Sequence, residues 1–319
     1  MFVEYLLLIS IRENGNILLA KFTGGFFVSN IKIYFLMVLS CFFWGGAFIA
    51  TKLSTPYIPT FTLTFYRFSI AAVILYFLIL YKEKKVYKLT KKDIPVFLIT
   101  GIIGMFGYHV LFFTSLRHTT AINSSLLSAS SPIITTLLCI VFLKDKVNAK
   151  RIAGIILSFL GVILTISNAN LKVFTQLAFN KGDLIMLAAV IVWSSYQVYS
   201  KTIIKNYTPM LLIFYSFVFC DIFLIPFVIY ENPLSFLNTI PLSAHLSVIY
   251  MGIFPSVVSY VVQQYSIQKL GPSKTSIFIN LIPIFSISLS VLILGETFTY
   301  IKLFTALLII AGVYICQKS

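Results

Sequence analysis

Charge is what this sequence has least of. Only 10% of its residues are Asp, Glu, Lys or Arg, and just nine of its 319 residues are acidic. A soluble chain of this length needs far more charge to cover its surface. Histidine is also scarce. His109, His118 and His245 are far apart, with two of them beside loops, and no HExxH or other catalytic constellation assembles around them. That excludes the usual signatures of an integral-membrane enzyme. There is no phosphate-binding glycine loop, so ATP-driven work by this chain alone is excluded as well. The cysteines, Cys41, Cys139, Cys220 and Cys316, show no CxxC or metal spacing and lie in apolar segments as small fillers. Neither a metal nor a cofactor is expected. No polar stretch is long enough for a soluble domain, which argues against a membrane sensor or interaction protein. The apolar run Tyr5–Ile11 has no basic segment before it, so it does not read as a signal peptide.

What the sequence has is apolar residues, 59% of the chain, arranged in blocks of about 20, the length that crosses a hydrocarbon core as a helix. The expected fold is an all-α membrane protein with ten transmembrane helices, near 32–51, 61–81, 94–114, 122–143, 150–168, 182–200, 211–230, 245–266, 274–294 and 300–316. Residues 1–30 read as an N-terminal extension, interfacial or disordered. The net charge of +15 raises the question of nucleic acid, but the basic residues sit in inter-helix loops, where they set topology. With the N-terminus inside, eighteen Lys and Arg fall on the inner side and five on the outer. The positive-inside rule therefore puts both termini in the cytoplasm, in an inner (cytoplasmic) membrane.

The chain also repeats itself. FFWGGAFIATK and IVWSSYQVYSK align Trp44 with Trp193 and Lys52 with Lys201 at a shift of 149. Further on the shift becomes 151, pairing Pro132 with Pro283, Asp145 with Glu296, and Gly161-Val162 with Gly312-Val313. The repeats span 31–168 and 181–318. With five spans each, an odd number, the second enters the membrane from the opposite side. Inverted repeats of this kind enclose a mid-membrane site and alternate its access.

The paired WGGAF and WSSYQ openings, FYRF in the second span, the proline-bearing fourth and ninth spans, LGE after the ninth, the Gly-Val pairs and the closing Lys together resemble the EamA group of the drug/metabolite transporter superfamily. The first half carries LKD where LGE stands in the second. The resemblance covers about 32–318. It implies export or import of an amino acid, other metabolite or drug, with the substrate left open. The lack of a nucleotide-binding motif makes the expected transport secondary, and export is the expected direction, with small-molecule substrate and bilayer as partners and with oligomeric state left open.

Candidate substrate-binding residues are polar and aromatic side chains on single helical faces. Trp193, Tyr196, Gln197 and Ser200 follow i, i+3, i+4, i+7, and Trp44, Phe48 and Thr51 form the matching stripe. Tyr260, Gln263 and Gln264 form a shorter stripe. His109, the repeat counterpart of Tyr260, reads as its partner in a pair of gates flanking one cavity, or equally as a packing residue. Asn123, Ser124 and Ser128 precede Pro132, and Asn280 precedes Pro283. These small polar residues suit either close helix packing or a wet lining. Arg67, within the second span, is a possible charge anchor or a structural Arg bonded to neighbouring helices. Asp221, in the seventh, is a possible proton-coupling acid or a neutral helix contact. Asp145 and Glu296 sit at helix ends and read as loop-geometry residues.

Overall fold

The computed structural model describes residues 23–83, 88–143, 148–167, 169–170, 179–204, 206–270, 275 and 278–317. Helices account for nearly all of them, and no strand occurs among them. We label the helices α1 (Thr23–Ser54), α2 (Thr60–Glu83), α3 (Asp93–His118), α4 (Ala121–Ser128), α5 (Ser131–Leu143) and α6 (Ala149–Ser167). The second half supplies α7 (Lys181–Ile203), α8 (Pro209–Glu231), α9 (Leu242–Leu270), α10 (Ile282–Leu294) and α11 (Tyr300–Gln317). Among the described residues, seven stretches are long and apolar enough to cross a membrane: α1 from Lys32, α2, α3, the α4–α5 pair, α7, α8 and α9. The protein is thus a multi-pass membrane protein. Helix α1 begins within the stretch read as an extension; residues 1–22 and Asp145 lie outside the described residues.

The outer surface is apolar, and the interior mixes apolar side chains with many small hydroxyls. Phe35, Phe77, Phe142 and Leu292 are each more than 60% exposed, while Ser40, Thr51, Thr64, Ser125, Ser216 and Ser259 are fully buried. In lipid the apolar face needs no cover, and small hydroxyls let helices approach closely. Those hydroxyls bond mostly to the carbonyl a turn earlier, as Ser54 Oγ does to Ala50 O at 2.7 Å and Ser216 Oγ to Leu212 O at 2.7 Å.

The ends are locally encoded. Thr208 caps α8, accepting from Leu211 N with Pro209 at the first turn, and Thr120 caps α4, accepting from Asn123 N. Asn232 closes α8 in the left-handed region (φ 47°), and Pro233 prevents its continuation. Gly295 ends α10 at φ 66°. Two carboxylates cap helices at long range. Glu231 accepts from Phe61 N and Thr62 N (3.1 and 2.7 Å) at the start of α2, and Glu296 accepts from Ala121 N and Ile122 N (2.8 and 3.0 Å) at the start of α4.

The two halves carry matching irregularities. The fourth span breaks at Ala129-Ser130 and the ninth at Asn280-Leu281, positions 151 apart, each just ahead of the aligned Pro132 and Pro283. A proline lacks the N–H that would continue the ladder, and its ring clashes with the carbonyl four residues back. Helices α3 and α9 each contain a π segment, Ile99–Gly107 and Gly252–Ser259, which makes both longer than the sequence spans predict.

Packing is reciprocal between the halves. A Cβ built on Gly161 of α6 meets Ile309 N at 3.0 Å, and one built on Gly312 of α11 meets Ser158 Cβ at 2.8 Å; Ser158 and Ile309 are themselves 151 apart. Gly101 of α3 lies against Phe219 and Ser216 O of α8, while Gly252 of α9 lies against Ile70 and Arg67 O of α2. Each contact is answered by its exchanged counterpart, as in an isologous two-fold interface. Glycine is required at these four positions because backbone atoms of the facing helix occupy the space a side chain would need.

Candidate functional site

Between the two halves lies a cavity lined by residues of both. Its aromatic wall comprises Trp44, Phe48, Tyr108, Phe112, Trp193 and Tyr260, and its polar wall Arg67, His109, Ser128, Ser131 and Gln263. Ala47, Val190, Ile279 and Ile282 complete it.

Tyr260 occupies the middle. Its ring stands 5.8 Å from Trp44 and 5.7 Å from Trp193, the two tryptophans that the repeat pairs. Its hydroxyl is 3.1 Å from His109 Nε2. His109 Nδ1 donates to Met105 O at 2.9 Å, a backbone bond that fixes the tautomer, so in the neutral ring Nε2 accepts from Tyr260. Tyr260 directly follows the π segment of α9, and His109 follows that of α3 after one residue. The two residues expected as separate gates on opposite sides of a cavity touch.

Arg67 is 2% exposed. Its Nε donates to Ser256 Oγ at 2.7 Å, and Ser256 Oγ in turn donates to Met251 O, five residues back, at 2.8 Å. The guanidinium carbon lies 5.5 Å from the Phe68 ring centroid and 5.8 Å from that of Phe113.

Of the other residues expected at the site, Tyr196 is buried beside the cavity, against Trp193 (5.1 Å) and over Gly104. Asn123 donates to Asp183 Oδ2 at 3.3 Å, and Thr119 Oγ1 donates to Asp183 Oδ1 at 2.6 Å, so both belong to an acid-centred cluster outside the lining. Ser124, Gln197, Gln264 and Asn280 do not line the cavity, yet each holds a buried polar atom without a partner among the described residues. Orphaned polar atoms of this kind mark sites where a ligand or water completes the bonding. Asp221 Oδ2 accepts from Ser69 Oγ at 3.0 Å, away from the lining. Tyr108 and Phe112 are lining residues the sequence reading missed; their spacing of four from each other and their flanking of His109 were the available signal.

The family model for EamA-like transporters matches the chain twice, over residues 31–167 and 180–316. This chain belongs to the EamA-like transporter family. Two matches with a short gap between them are the two-repeat architecture seen in the packing. Among the family's curated members, the chain is similar to an uncharacterized transporter of Archaeoglobus fulgidus, 30% identical over 90% of this chain and 97% of that one. It is also similar to the uncharacterized transporter YyaM of Bacillus subtilis, 28% identical over 90% and 93% of the two chains. A probable terminal-alkyne amino-acid exporter of Streptantibioticus cattleyicolor is 26% identical over 90% of this chain and 94% of its own. A solved crystal structure, 18% identical, superposes with a TM-score of 0.62 over 89% of this chain and 96% of its own, a likeness of fold. This EamA-like protein is therefore a membrane transporter, as its family and its relatives indicate.

Proposed function

We propose that the protein is a gradient-driven exporter of a small amphipathic metabolite, working by alternating access across the cytoplasmic membrane. In this reading it has ten transmembrane helices in two inverted repeats of five, with the short α10 and the α6–α11 pair completing the count. Both termini face the cytoplasm, on the strength of the eighteen-to-five distribution of Lys and Arg.

The observation that carries the reading is the reciprocal packing around one central cavity. If the exchange of Gly161–Ile309 for Gly312–Ser158, and of Gly101–Phe219 for Gly252–Ile70, is two-fold, rocking the halves to the opposite tilt gives an equivalent set of contacts. The cavity then opens to either side at little difference in energy. The lining of tryptophan, tyrosine and glutamine suits a compound with one apolar face and a few polar groups. Export of amino acids or related compounds is supported by the relative named as a probable amino-acid exporter.

The test is comparative metabolomics of cells with and without the protein, followed by flux of the shifted compound through proteoliposomes under an imposed proton or sodium gradient. Gradient-dependent flux is expected. Its absence for every shifted compound contradicts the reading.

A further inference from the structure

The cavity has a cation and no anion. Five acids have described side chains, and each is engaged elsewhere. Asp93 accepts from Thr90 and Tyr207, Asp183 from Thr119 and Asn123, and Asp221 from Ser69. Glu231 and Glu296 cap α2 and α4. None of the five lines the cavity, whereas Arg67 does.

Nε is the only nitrogen of Arg67 bonded among the described residues; nothing there bonds its two Nη groups. A buried guanidinium without a carboxylate is costly, and phenylalanine rings offset only part of that cost. Arg67 Nε is held by Ser256, which turns the guanidinium into a fixed fork whose remaining donors suit a planar, two-oxygen acceptor. The rings of Trp44, Tyr108, Trp193 and Tyr260, inclined to one another by 35° to 65°, line the same cavity as that fork. The remaining polar lining, Ser128, Ser131, His109 and Gln263, is uncharged when the imidazole is neutral.

We propose that the cavity takes an organic monoanion, a carboxylate on an apolar body, with Arg67 binding the carboxylate and no carboxylate in the described lining to pair with an ammonium. This rests on the carrier reading of the same cavity. It goes further by ranking substrates: a monoanion binds better than the matching zwitterion, and the zwitterion better than the matching cation.

Three compounds that share a phenethyl body test it: 3-phenylpropionate, phenylalanine and phenethylamine. Their equilibrium binding to the purified full chain in nanodiscs is measured at neutral pH. The expected order is 3-phenylpropionate first and phenethylamine last. Arg67→Gln is expected to weaken 3-phenylpropionate about ten- to a hundredfold, the scale of a charge-assisted hydrogen-bonded pair, and Arg67→Lys to restore part of it. Should Arg67→Gln fail to fold, the wild-type ranking decides alone. Equal binding of the three, a preference for the zwitterion or cation, or binding of none overturns the proposal. Binding in the expected order without gradient-driven flux leaves the anion site standing and removes the carrier reading. Flux of a zwitterion or cation with no anion preference does the reverse.

Discussion

His109 and Tyr260, aligned by the 151-residue shift, meet through a 3.1 Å hydrogen bond between Nε2 and the phenol. A pair of repeat-related residues in direct contact lies on the axis that exchanges the halves. The bond is buried on both sides, so its loss has a definite cost.

Tyr260→Phe keeps the ring between Trp44 and Trp193 but leaves His109 Nε2 unpartnered. It is expected to destabilise the protein by about 1–3 kcal/mol, the cost of a buried unsatisfied group. His109→Phe combined with Tyr260→Phe is expected to cost less than the two single changes added together. A double-mutant cycle by thermal unfolding in detergent or nanodiscs measures this. Strict additivity means the pair does not interact.

Gly312→Ala places a Cβ 2.6 Å from Gly154 O and 2.8 Å from Ser158 Cβ, where the neighbours are backbone or rooted on it. Overpacking of this kind costs about 1–3 kcal/mol. Gly161→Ala meets Ile309 N at 3.0 Å and Ile309 Cγ1 at 2.7 Å, and part of that obstacle is a flexible side chain. The larger loss of thermal stability is therefore expected at Gly312. Equal tolerance of both substitutions contradicts the close approach of α6 and α11.

These contacts show what sequence could and could not reveal. The repeat was legible because Trp44/Trp193, Pro132/Pro283 and the Gly-Val pairs lie at nearly constant shifts, and the spans were legible from apolar length. Periodicity found Trp44, Phe48, Trp193, Tyr260 and Gln263, all of which line the cavity. It also selected Tyr196, Gln197 and Gln264, which sit on the same helices but outside the lining. Tyr196 and Gln197 lie about a turn beyond Trp193 on α7, past the reach of the cavity, so a shared face did not place them in the lining. The engagement of Asn123 by Asp183 depends on contacts between halves, which no single helix encodes.

Glu296→Gln replaces a two-oxygen cap on α4 with a side chain that has one acceptor. One of the bonds to Ala121 N and Ile122 N is lost, at an expected cost of about 1 kcal/mol. The residue spans the ninth and fourth helices at one end of the bundle, so weakening it also favours opening there. Greater labelling of a cysteine placed at Asn123, read from that end, is the expected sign. Unchanged stability and labelling contradict a role in holding that end closed.

Asp221→Asn retains an acceptor for Ser69 and leaves the cavity wall untouched. Transport rate and its dependence on a proton gradient are expected to remain within about twofold, about 0.4 kcal/mol. Loss of proton dependence alone would assign Asp221 a coupling role at a distance from the cavity.

The central claim, that one cavity on the exchange axis opens to each side in turn, is tested most directly by site-specific labelling. Ser128 lines the cavity, and Ser128→Cys is nearly isosteric. With the native cysteines replaced by alanine, a membrane-impermeant thiol reagent is applied to one side or the other of oriented vesicles. Labelling from both sides, with bound substrate shifting the balance between them, is the predicted result. Labelling from a single side under all conditions contradicts alternating access.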